Sequence, residues 1–397
     1  MTALAAETTT KNQEQLVAVS GIADLTDGRG YLRTAGYRRS ADDLPLTAAR
    51  VRQYGLRPGD QVHALVSGTA LGAVGKTNAA GKRAAGARGD TAGTLVSVDT
   101  VNGLDSDAAR QRPRFDDLTP VYPRERFRLE DGDPSPAARI IDLVAPIGKG
   151  QRGLIVAPPK AGKTTVLKTI ARAIAAAHPE VHLMFVLVGE RPEEVTDLRR
   201  SVRGEVIAST FDESPADHIR AAELAIERAK RLAELGRDVV VMLDSLTRLG
   251  RAYNLAAPAG GRTLTGGVAV SALQPPRQFL GAARCLDEGG SLTILSTVLV
   301  DTSSALDSVL FEEFKGTGNM ELRLRRDLAE KRIFPAIDPV PSGTRREELL
   351  MDPAEYAAVV TLRRALAALD SQHAMELLLE KTTDSNQRLL AQVSATR

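Results

Sequence analysis

The pattern of apolar and polar positions divides the chain into two parts. Between residues 17 and 101, short alternating segments are separated by turn signals, which predicts a small all-β barrel. After residue 140 the apolar runs become nearly continuous and alternate with helical patterns. That texture predicts a mostly parallel sheet covered by helices on both faces. The predicted strands of this sheet are residues 153–157, 182–188, 205–208, 238–243 and 291–300.

The same pattern sets the expected domain boundaries. We expect a polar tail at residues 1–16, the barrel at 17–101, a connector rich in Asp, Arg and Pro at 102–140, and an α/β domain at 141–397. Inside the barrel, residues 72–93 are rich in Gly, Ala, Lys and Arg and predict a basic loop. Helices are predicted at 163–177 and 218–235, and another begins at Asp352, where a capping acid precedes a proline.

Composition narrows the class of protein. A chain of 397 residues with 43% hydrophobic and 26% charged residues is long enough for two or three domains. The single cysteine, Cys285, excludes an internal disulfide framework and a multi-cysteine zinc site. No run approaches the roughly 18 apolar residues of a membrane span, and the first residues lack the features of a secretory signal. We therefore expect a cytoplasmic protein with no membrane partner.

Charge is distributed unevenly along the chain. The net charge is only +2, but residues 28–92 hold eleven Lys or Arg and four Asp or Glu, a local charge of +7. A basic segment on an otherwise slightly acidic chain predicts that one end contacts a polyanion. A solvated charged surface is the alternative interpretation.

The strongest chemical signal is the segment APPKAGKTT at residues 157–165, between a predicted strand and a predicted helix. Its spacing is that of a phosphate-binding loop, with Ala157 in place of the usual first glycine. Backbone N–H groups and the helix N-terminus would surround the phosphates, Lys163 would add a charge, and the Thr164 hydroxyl would ligate Mg²⁺. The alternative is a Gly/Pro turn with two solvated lysines.

Two acids at predicted strand ends complete a candidate nucleotide hydrolase. Asp244 ends an apolar strand and would hold Mg²⁺ with Thr164, although an N-cap role is the alternative. Glu190 follows another strand and would orient or deprotonate the attacking water. The alternative for Glu190 is an acid in the first turn of a helix, the role expected of Glu193 and Glu194.

Seven segments, in order, resemble the Rho family of bacterial transcription termination factors. They are PIGKGQRGLIVAPPKAGKT (146–164), ERPEEVT (190–196), LDSLTRL (243–249), LTGGV (264–268), FKGTGNMEL (314–322), KRIFPAID (331–338) and SGTR (342–345). The resemblance implies a RecA-like P-loop ATPase core preceded by an OB or cold-shock-like barrel that captures RNA. It implies a homohexamer that uses ATP and Mg²⁺ to move along single-stranded nascent RNA toward its 3′ end, and that ends transcription by the RNA polymerase elongation complex.

The resemblance also implies roles for individual residues. Arg345 would be an arginine finger that reaches the neighbouring subunit's site, and Arg248 and Arg332 would support it beside the catalytic Lys163 and Glu190. The implied ATP-binding residues are Gly148, Lys149, Gly150, Gln151, Arg152, Gly153, Lys160, Ala161, Gly162, Lys163, Thr164, Thr165, Arg191 and Phe334. Thr164 and Asp244 would hold the metal. The implied RNA-binding residues are Gly28, Tyr31, Arg33, Thr263, Leu264, Thr265, Gly266, Gly267 and Lys315.

Four positions depart from the family pattern and keep two alternatives open. Arg29 and Pro45 stand where aromatic residues are expected, Ala269 stands for an acid, and Ala305 stands for a lysine. These departures, with the short region before the barrel, indicate a divergent or N-terminally short member. They motivate the alternative of an RNA-binding regulatory ring with a weak or uncoupled ATPase. Another RecA-like ring ATPase, of the ATP-synthase or secretion type, is the second alternative.

Overall fold

The structure, a computed structural model, describes residues 16–25, 30–67 and 95–395 of the chain. It divides into two compact units, residues 1–112 and residues 113–397. Each unit is built around a hydrophobic cluster of its own. Within the described ranges, no helix is long and apolar enough to cross a membrane.

The described part of unit 1 is a five-stranded antiparallel sheet with two short helices. The strands are β1 (Leu16–Asp24), β2 (Gly30–Arg33), β3 (Leu44–Leu46), β4 (Gln61–Ser67) and β5 (Leu95–Val101), in the order β3-β2-β1-β4-β5, and the helices are α1 (Ala48–Tyr54) and α2 (Ser106–Gln111). Alternate residues of β4, namely Val62, Ala64 and Val66, face the core, as the period of two predicts. The antiparallel sheet agrees with the all-β prediction for this part of the chain. The predicted basic loop at 72–93 lies outside the described residues.

Unit 2 is a mixed sheet with helices on both faces. Its main strands are β6 (Pro120–Val121), β9 (Arg152–Ala157), β10 (His182–Glu190), β11 (Glu205–Thr210), β12 (Asp238–Asp244), β15 (Arg284–Leu286), β16 (Ser291–Leu299), β17 (Met320–Arg323) and β18 (Gly343–Thr344). Their path is β11-β10-β12-β16-β9-β17-β18, with β15 and β6 attached beside β16. Two small pairs are β7 (Arg126–Phe127) with β8 (Ile147–Gly148), and β13 (Thr263–Leu264) with β14 (Val268–Ala269).

The helices of unit 2 follow the strands along the chain. They are α3 (Leu129–Gly132), α4 (Pro136–Val144), α5 (Lys163–Ala177), α6 (Pro192–Ser201), α7 (Pro215–Ala233), α8 (Leu246–Ala256), α9 (Gln274–Gly281), α10 (Ala305–Lys315), α11 (Arg326–Glu330), α12 (Pro353–Ala367), α13 (Ser371–Lys381) and α14 (Asn386–Ala395). Helix α7 begins three residues before its predicted start, because Ser214 caps it and Pro215 occupies its first turn. Helix α12 begins at the predicted cap, Asp352.

The six strands from β11 to β17 run parallel, so their carboxyl ends meet at one edge of the sheet. Strands β9, β10, β12 and β16 are buried over almost their whole length, because helices cover both faces. All five strands predicted for this sheet are therefore confirmed. The carboxyl edge is where an open parallel sheet offers a crevice for a ligand.

Residues 102–140 differ from the connector that their sequence suggested. They contain α2, β6, β7, α3 and the start of α4. Phe115, Phe127 and Leu129 in this stretch are fully buried. The elements are too short to show a period of 2 or 3.6, so the apolar pattern could not reveal them.

Candidate active site

The loop after β9 leaves the start of helix α5 open to a ligand. Lys160 and Gly162 have positive φ angles of 67° and 88°, which turn the chain sharply between the strand and the helix. Gly162 occupies the N-cap position of α5, and no side chain caps the helix there. The first N–H groups of α5 are therefore available to an anion, as in phosphate-binding loops.

Lys163, the first residue of α5, lies between two buried carboxylates. Its Nζ is 3.1 Å from Glu190 Oε1, and it also forms an ion pair with Asp244. Glu190 and Asp244 come from the carboxyl ends of the neighbouring strands β10 and β12. One ammonium group thus pairs with both buried acids and provides a counter-charge for Asp244.

Asp244 has a further partner that the sequence analysis missed. The Thr297 hydroxyl, on β16, donates to Asp244 Oδ1 at 2.8 Å. Burial raises the pKa of Asp244, and Lys163 opposes that shift. The polar pair Ser296-Thr297 near the end of a buried strand was the available signal. Ser245, the next residue after Asp244, takes the N-cap role by accepting from Arg248 N.

Glu190 is held by Arg248 at an irregular strand end. The pairing of β10 with β11 shifts register between Val188 and Glu190, and Gly189 between them has φ +66°. Arg248 Nη1 lies 2.8 Å from Glu190 Oε1 and also donates to the Gly189 carbonyl. Glu190 is therefore the last residue of a strand. The first-turn acids of α6 are Glu193 and Glu194.

The oxygen atoms at this edge suit a divalent cation. Thr164, Glu190 and Asp244 line one small cavity together. A hydroxyl and a carboxylate are ligands that Mg²⁺ accepts when phosphate and water oxygens complete its shell. Among the described residues, no group of three or more His, Cys, Asp and Glu could hold a metal ion without such additional ligands.

Two more of the predicted residues extend the same edge. The segment after β17 is attached to the end of β9, because Leu324 N donates to Val156 O. Within the segment, Arg325 N donates to Ala336 O. It carries Arg332 and Phe334, and Phe334 is 50% exposed. Arg191, Lys160 and Thr165 are also exposed.

The structure does not bring Gly148, Lys149, Gly150, Gln151, Arg152, Gly153 or Arg345 to this loop. Arg152 begins β9 and Ala157 ends it, about 16 Å away at the usual strand rise. Asn319 ties Arg345 to the same far edge, because Arg345 N donates to Asn319 O and Arg152 N donates to Asn319 Oδ1. Burial, Arg284 and Arg345 lower the pKa of Arg152, so these guanidinium groups are close enough to repel one another.

The predicted RNA loop of unit 2 is an exposed hairpin braced by helix α8. Strands β13 and β14 flank a turn at residues 265–267, which contains Thr265, Gly266 and Gly267. A Cβ on Gly266 would lie 2.9 Å from the Ala305 carbonyl carbon, so the hairpin packs closely against the start of α10. Asn254 of α8 donates to Gly267 O at 3.2 Å and accepts from Ala269 N at 2.7 Å. Lys315 is exposed at the other end of α10.

Two of the RNA-binding residues predicted in the barrel are described by the structure: the Tyr31 side chain is partly exposed, and the Arg33 side chain is engaged in ion pairs. Arg33 is buried and bonded to both Asp24 and Asp43, so its guanidinium is not available to an RNA phosphate. That corrects the expectation for Arg33, whose ion pairs a linear sequence cannot reveal. Tyr31 is half-buried, with the Arg33 guanidinium 5.1 Å from its ring centre. Gly28 lies outside the described residues.

Comparison with known proteins supports both units. Residues 137–344 match the nucleotide-binding domain of the ATP synthase alpha/beta family, and residues 19–107 match the RNA-binding domain of the Rho termination factor. A transcription termination factor Rho from Streptosporangium roseum is 57% identical over 96% of this chain and 93% of its own length. The chain belongs to the Rho family of transcription termination factors. The resemblance noted in the sequence is thereby confirmed, as are its ATPase and RNA-binding domains.

Other Rho proteins are similar over the same region but longer. The Streptomyces lividans protein is 56% identical over 96% of this chain, which spans about half of that relative's length. The Mycobacterium tuberculosis protein is 53% identical over 98% of this chain and 64% of its own length.

Solved structures confirm the RecA-like core of this Rho-family chain. An ATPase of a type III secretion system has a TM-score of 0.59 at 23% identity and covers 70% of this chain and 87% of its own. The ATP synthase subunit NeqB has a TM-score of 0.53 at 19% identity and covers 63% of each chain. At these identities the likeness concerns the fold alone.

Proposed function

We propose that the protein is an ATP-driven RNA translocase that acts as a homohexameric ring. It moves along single-stranded nascent RNA toward the 3′ end and terminates transcription at the RNA polymerase elongation complex, in the cytoplasm where transcripts are made. The observation that carries this proposal is Lys163, held between Glu190 and Asp244 beside an uncapped helix N-terminus, in a chain of the Rho family.

The nucleotide site is formed by the loop after β9. The loop N–H groups and Lys160, Ala161, Gly162, Lys163, Thr164 and Thr165 bind the ATP phosphates. Thr164 and Asp244 hold Mg²⁺, which supplies charge stabilisation at the phosphates when bound. Three residues of the same edge complete the site. Phe334 stacks on the adenine, Arg191 lies at the nucleotide, and Arg332 helps to stabilise the negative charge of the phosphates.

Hydrolysis requires Lys163 to change partners. In this structure its ammonium group neutralises the two carboxylates. When ATP binds, the ammonium group turns to the phosphates, and Glu190 is released to accept a hydrogen bond and then a proton from the attacking water. Arg248 keeps the carboxylate oriented, since it bonds both Glu190 and the Gly189 carbonyl.

A second copy of the chain supplies the rest of the site. Arg345 lies at the amino edge of the sheet, at the far end of β9 from the chain's own phosphate loop. Arg345 therefore acts as a finger on the neighbouring subunit's nucleotide, and Gly148–Gly153 reach the same nucleotide from beside it. A finger supplied in trans couples hydrolysis to the arrangement of subunits.

RNA passes along two surfaces of this ring. The exposed hairpin with Thr263, Leu264, Thr265, Gly266 and Gly267 contacts the sugar–phosphate chain together with Lys315. In unit 1, Tyr31 and Gly28 contact RNA, and the basic residues of the barrel add electrostatic capture. The burial of Arg33 and the alanine at position 305 favour weaker binding of RNA. Weaker binding is a feature of the alternative function, a regulatory ring whose ATPase is not coupled to RNA.

Subunit mixing tests the proposal. Lys163→Ala should abolish RNA-stimulated ATP hydrolysis, because it removes the phosphate charge, and Arg345→Ala should do so by removing the finger. Mixed rings of the two variants should recover part of the activity, since some interfaces then pair an intact loop with an intact finger. Lys168→Ala is the matched control on α5, because Lys168 pairs with Asp197 at the surface and should keep wild-type activity.

Three results would contradict parts of this assignment. Full turnover in Lys163→Ala would contradict the assignment of the phosphate site. Absence of any recovery, with mixed hexamers demonstrated by native mass spectrometry, would exclude a shared site. ATP hydrolysis that RNA does not stimulate would favour the uncoupled regulatory ring.

A further inference from the structure

A half-buried histidine lies next to the candidate active site and has no role in the reaction described so far. His218 belongs to the first turn of α7, beside the carboxyl end of β11. Its Nδ1 is 2.6 Å from Ser209 Oγ, and Ser209 Oγ donates to Glu213 Oε2 at 2.9 Å. Glu213 in turn accepts from the backbone N–H and the hydroxyl of Thr210, both at 3.2 Å. This chain of bonds fixes the imidazole in place.

The bonds also fix which nitrogen of His218 carries the proton. A serine hydroxyl has one proton, and an ionised carboxylate can only accept. Because Ser209 gives its proton to Glu213, its oxygen accepts from Nδ1–H of His218. The other ring nitrogen, Nε2, therefore carries a lone pair in the neutral side chain.

Nε2 of His218 and the Arg248 side chain both lie beside Gly189. A Cβ built on Gly189 would lie 3.9 Å from His218 Nε2, 3.3 Å from Arg248 Cδ and 4.0 Å from Arg248 Nη1. Arg248 is the residue that holds Glu190 and the Gly189 carbonyl. A change of charge on His218 thus acts directly on the partner of Glu190.

The surroundings of His218 favour its neutral form. Burial is the main cause that lowers its pKa below the ordinary value, and Arg248 lowers it further. The carboxylates of Glu213, Asp217 and Asp212 oppose this shift. A histidine with a pKa below 6.5 is mostly uncharged at neutral pH.

We propose that His218 is a positioning residue for hydrolysis: its neutral imidazole, locked by Ser209, lets Arg248 hold Glu190, and its protonation drives Arg248 away. Turnover then falls as the pH drops below neutrality. The inference rests on the proposed function, because it requires Glu190 to act on the attacking water. The nucleotide contacts are untouched, so the effect belongs to kcat rather than to KM.

The test measures kcat and KM for ATP between pH 5.5 and 8.5 in the full-length chain with RNA. His218→Lys places a permanent charge beside Arg248 and should lower kcat at least about tenfold at every pH, with KM within about twofold. His218→Asn keeps a donor toward Ser209 and cannot become charged. It should keep kcat within about threefold at pH 8 and shift the acid limb of the profile to lower pH.

The matched control is His182→Lys at the opposite end of β10. His182 bonds Glu205 at 3.0 Å at the amino edge of the sheet, so this variant should keep the wild-type profile. Thermal melting shows whether each variant folds. If His218→Lys does not fold, the pH profile of His218→Asn decides the question by itself.

The possible outcomes separate the two proposals. A wild-type acid limb in His218→Asn, or wild-type kcat in a folded His218→Lys, overturns the role of His218. If the parent hydrolyses ATP and Glu190→Gln abolishes hydrolysis, that result leaves the proposed function intact. A parent chain without any ATPase activity overturns both.

Discussion

At the residue scale, burial decides which charged groups must have partners. Lys163 pairs with Glu190 and Asp244, and Arg33 pairs with Asp24 and Asp43. Removing the cation that such a group shares leaves at least one carboxylate with less compensation for its burial, and breaking a buried pair in this way costs several kcal/mol (~3–5 by analogy with other buried pairs). The ion pairs at the active site can be exchanged for a ligand's charges, whereas those of Arg33 belong to the barrel itself.

Asp142 gives a prediction for stability at this scale. It lies on α4 and accepts the N–H groups of Leu129 at 3.1 Å and Glu130 at 2.9 Å. Burial raises its pKa from 3.8 to about 7. Because the folded state keeps a proton that the unfolded chain releases, the contribution of Asp142 to stability is greatest below pH 4 and falls as the pH rises toward 7. Between pH 5 and 7.5 this group alone should lower the free energy of unfolding by roughly 2–3 kcal/mol.

Urea unfolding of the wild type and of Asp142→Asn at both pH values measures this cost. The variant should lack that part of the pH dependence, because an amide does not titrate. Asp131→Asn, an exposed neighbour, is the control and should retain the wild-type dependence. A wild-type pH dependence in Asp142→Asn would show that another group is responsible.

At the scale of elements, helix α8 connects the candidate nucleotide site to the hairpin of β13 and β14 and to the start of α10. Arg248 bonds Glu190, Arg251 Nε donates to Asp307 Oδ1 at 2.8 Å beside the start of α10, and Asn254 braces the hairpin of β13 and β14. These residues recur every three positions, so they follow one side of the helix over successive turns. A shift of this helix would therefore change its contacts with Glu190, with α10 and with the hairpin at the same time.

Asn254→Ala tests that connection. It removes the hydrogen bonds to Gly267 O and from Ala269 N, and so frees the hairpin from α8. We expect the stimulation of ATP hydrolysis by RNA to fall about 3- to 30-fold, in the range of mutational effects on coupling, while ATPase activity without RNA stays near wild type.

Tyr253→Phe is the control on the same helix. It removes only the hydrogen bond from Tyr253 to Glu223, which involves neither the hairpin nor α10. Equal stimulation in Asn254→Ala and the wild type would show that α8 does not carry the coupling.

At the scale of the whole molecule, we expect the proposed RNA capture to depend on how charge is distributed along the chain. Neutralising phosphates releases counterions, so affinity should fall with salt by a log–log slope of about −0.7 per contact on single strands. Replacing residues 75–89, outside the described ranges, by an uncharged Gly/Ser loop of equal length removes Lys76, Lys82, Arg83 and Arg88. The slope should then flatten by up to about three units.

Binding titrations of the full chain between roughly 50 and 200 mM salt measure the slope. Tyr31→Ala serves as the comparison, since the loss of base stacking should lower the affinity by a similar factor at each salt concentration. An unchanged slope after loop replacement would contradict the prediction, because the four cations of the loop would then release no counterions from the RNA.

The local sequence was enough to predict five strands of the parallel sheet and to propose the chemistry of the candidate site. Apolar runs identified β9, β10, β11, β12 and β16, because strands covered on both faces carry few polar residues. The residue spacing of the loop before Lys163 predicted a phosphate site, because loop, lysine and helix start are adjacent in the chain. The acids Glu190 and Asp244 were found because each ends a strand of the same parallel sheet.

Tertiary structure alone decided which distant groups meet. The Thr297 hydroxyl on Asp244, the bond of Arg248 to Gly189, the burial of Arg33 and the placement of His218 beside Gly189 each join residues from different elements. It also separated Arg345 and Gly148–Gly153 from the phosphate loop, although part of that segment is close to the loop in sequence. A periodic pattern reports which face of an element is buried, but contacts across a core depend on strand order and packing.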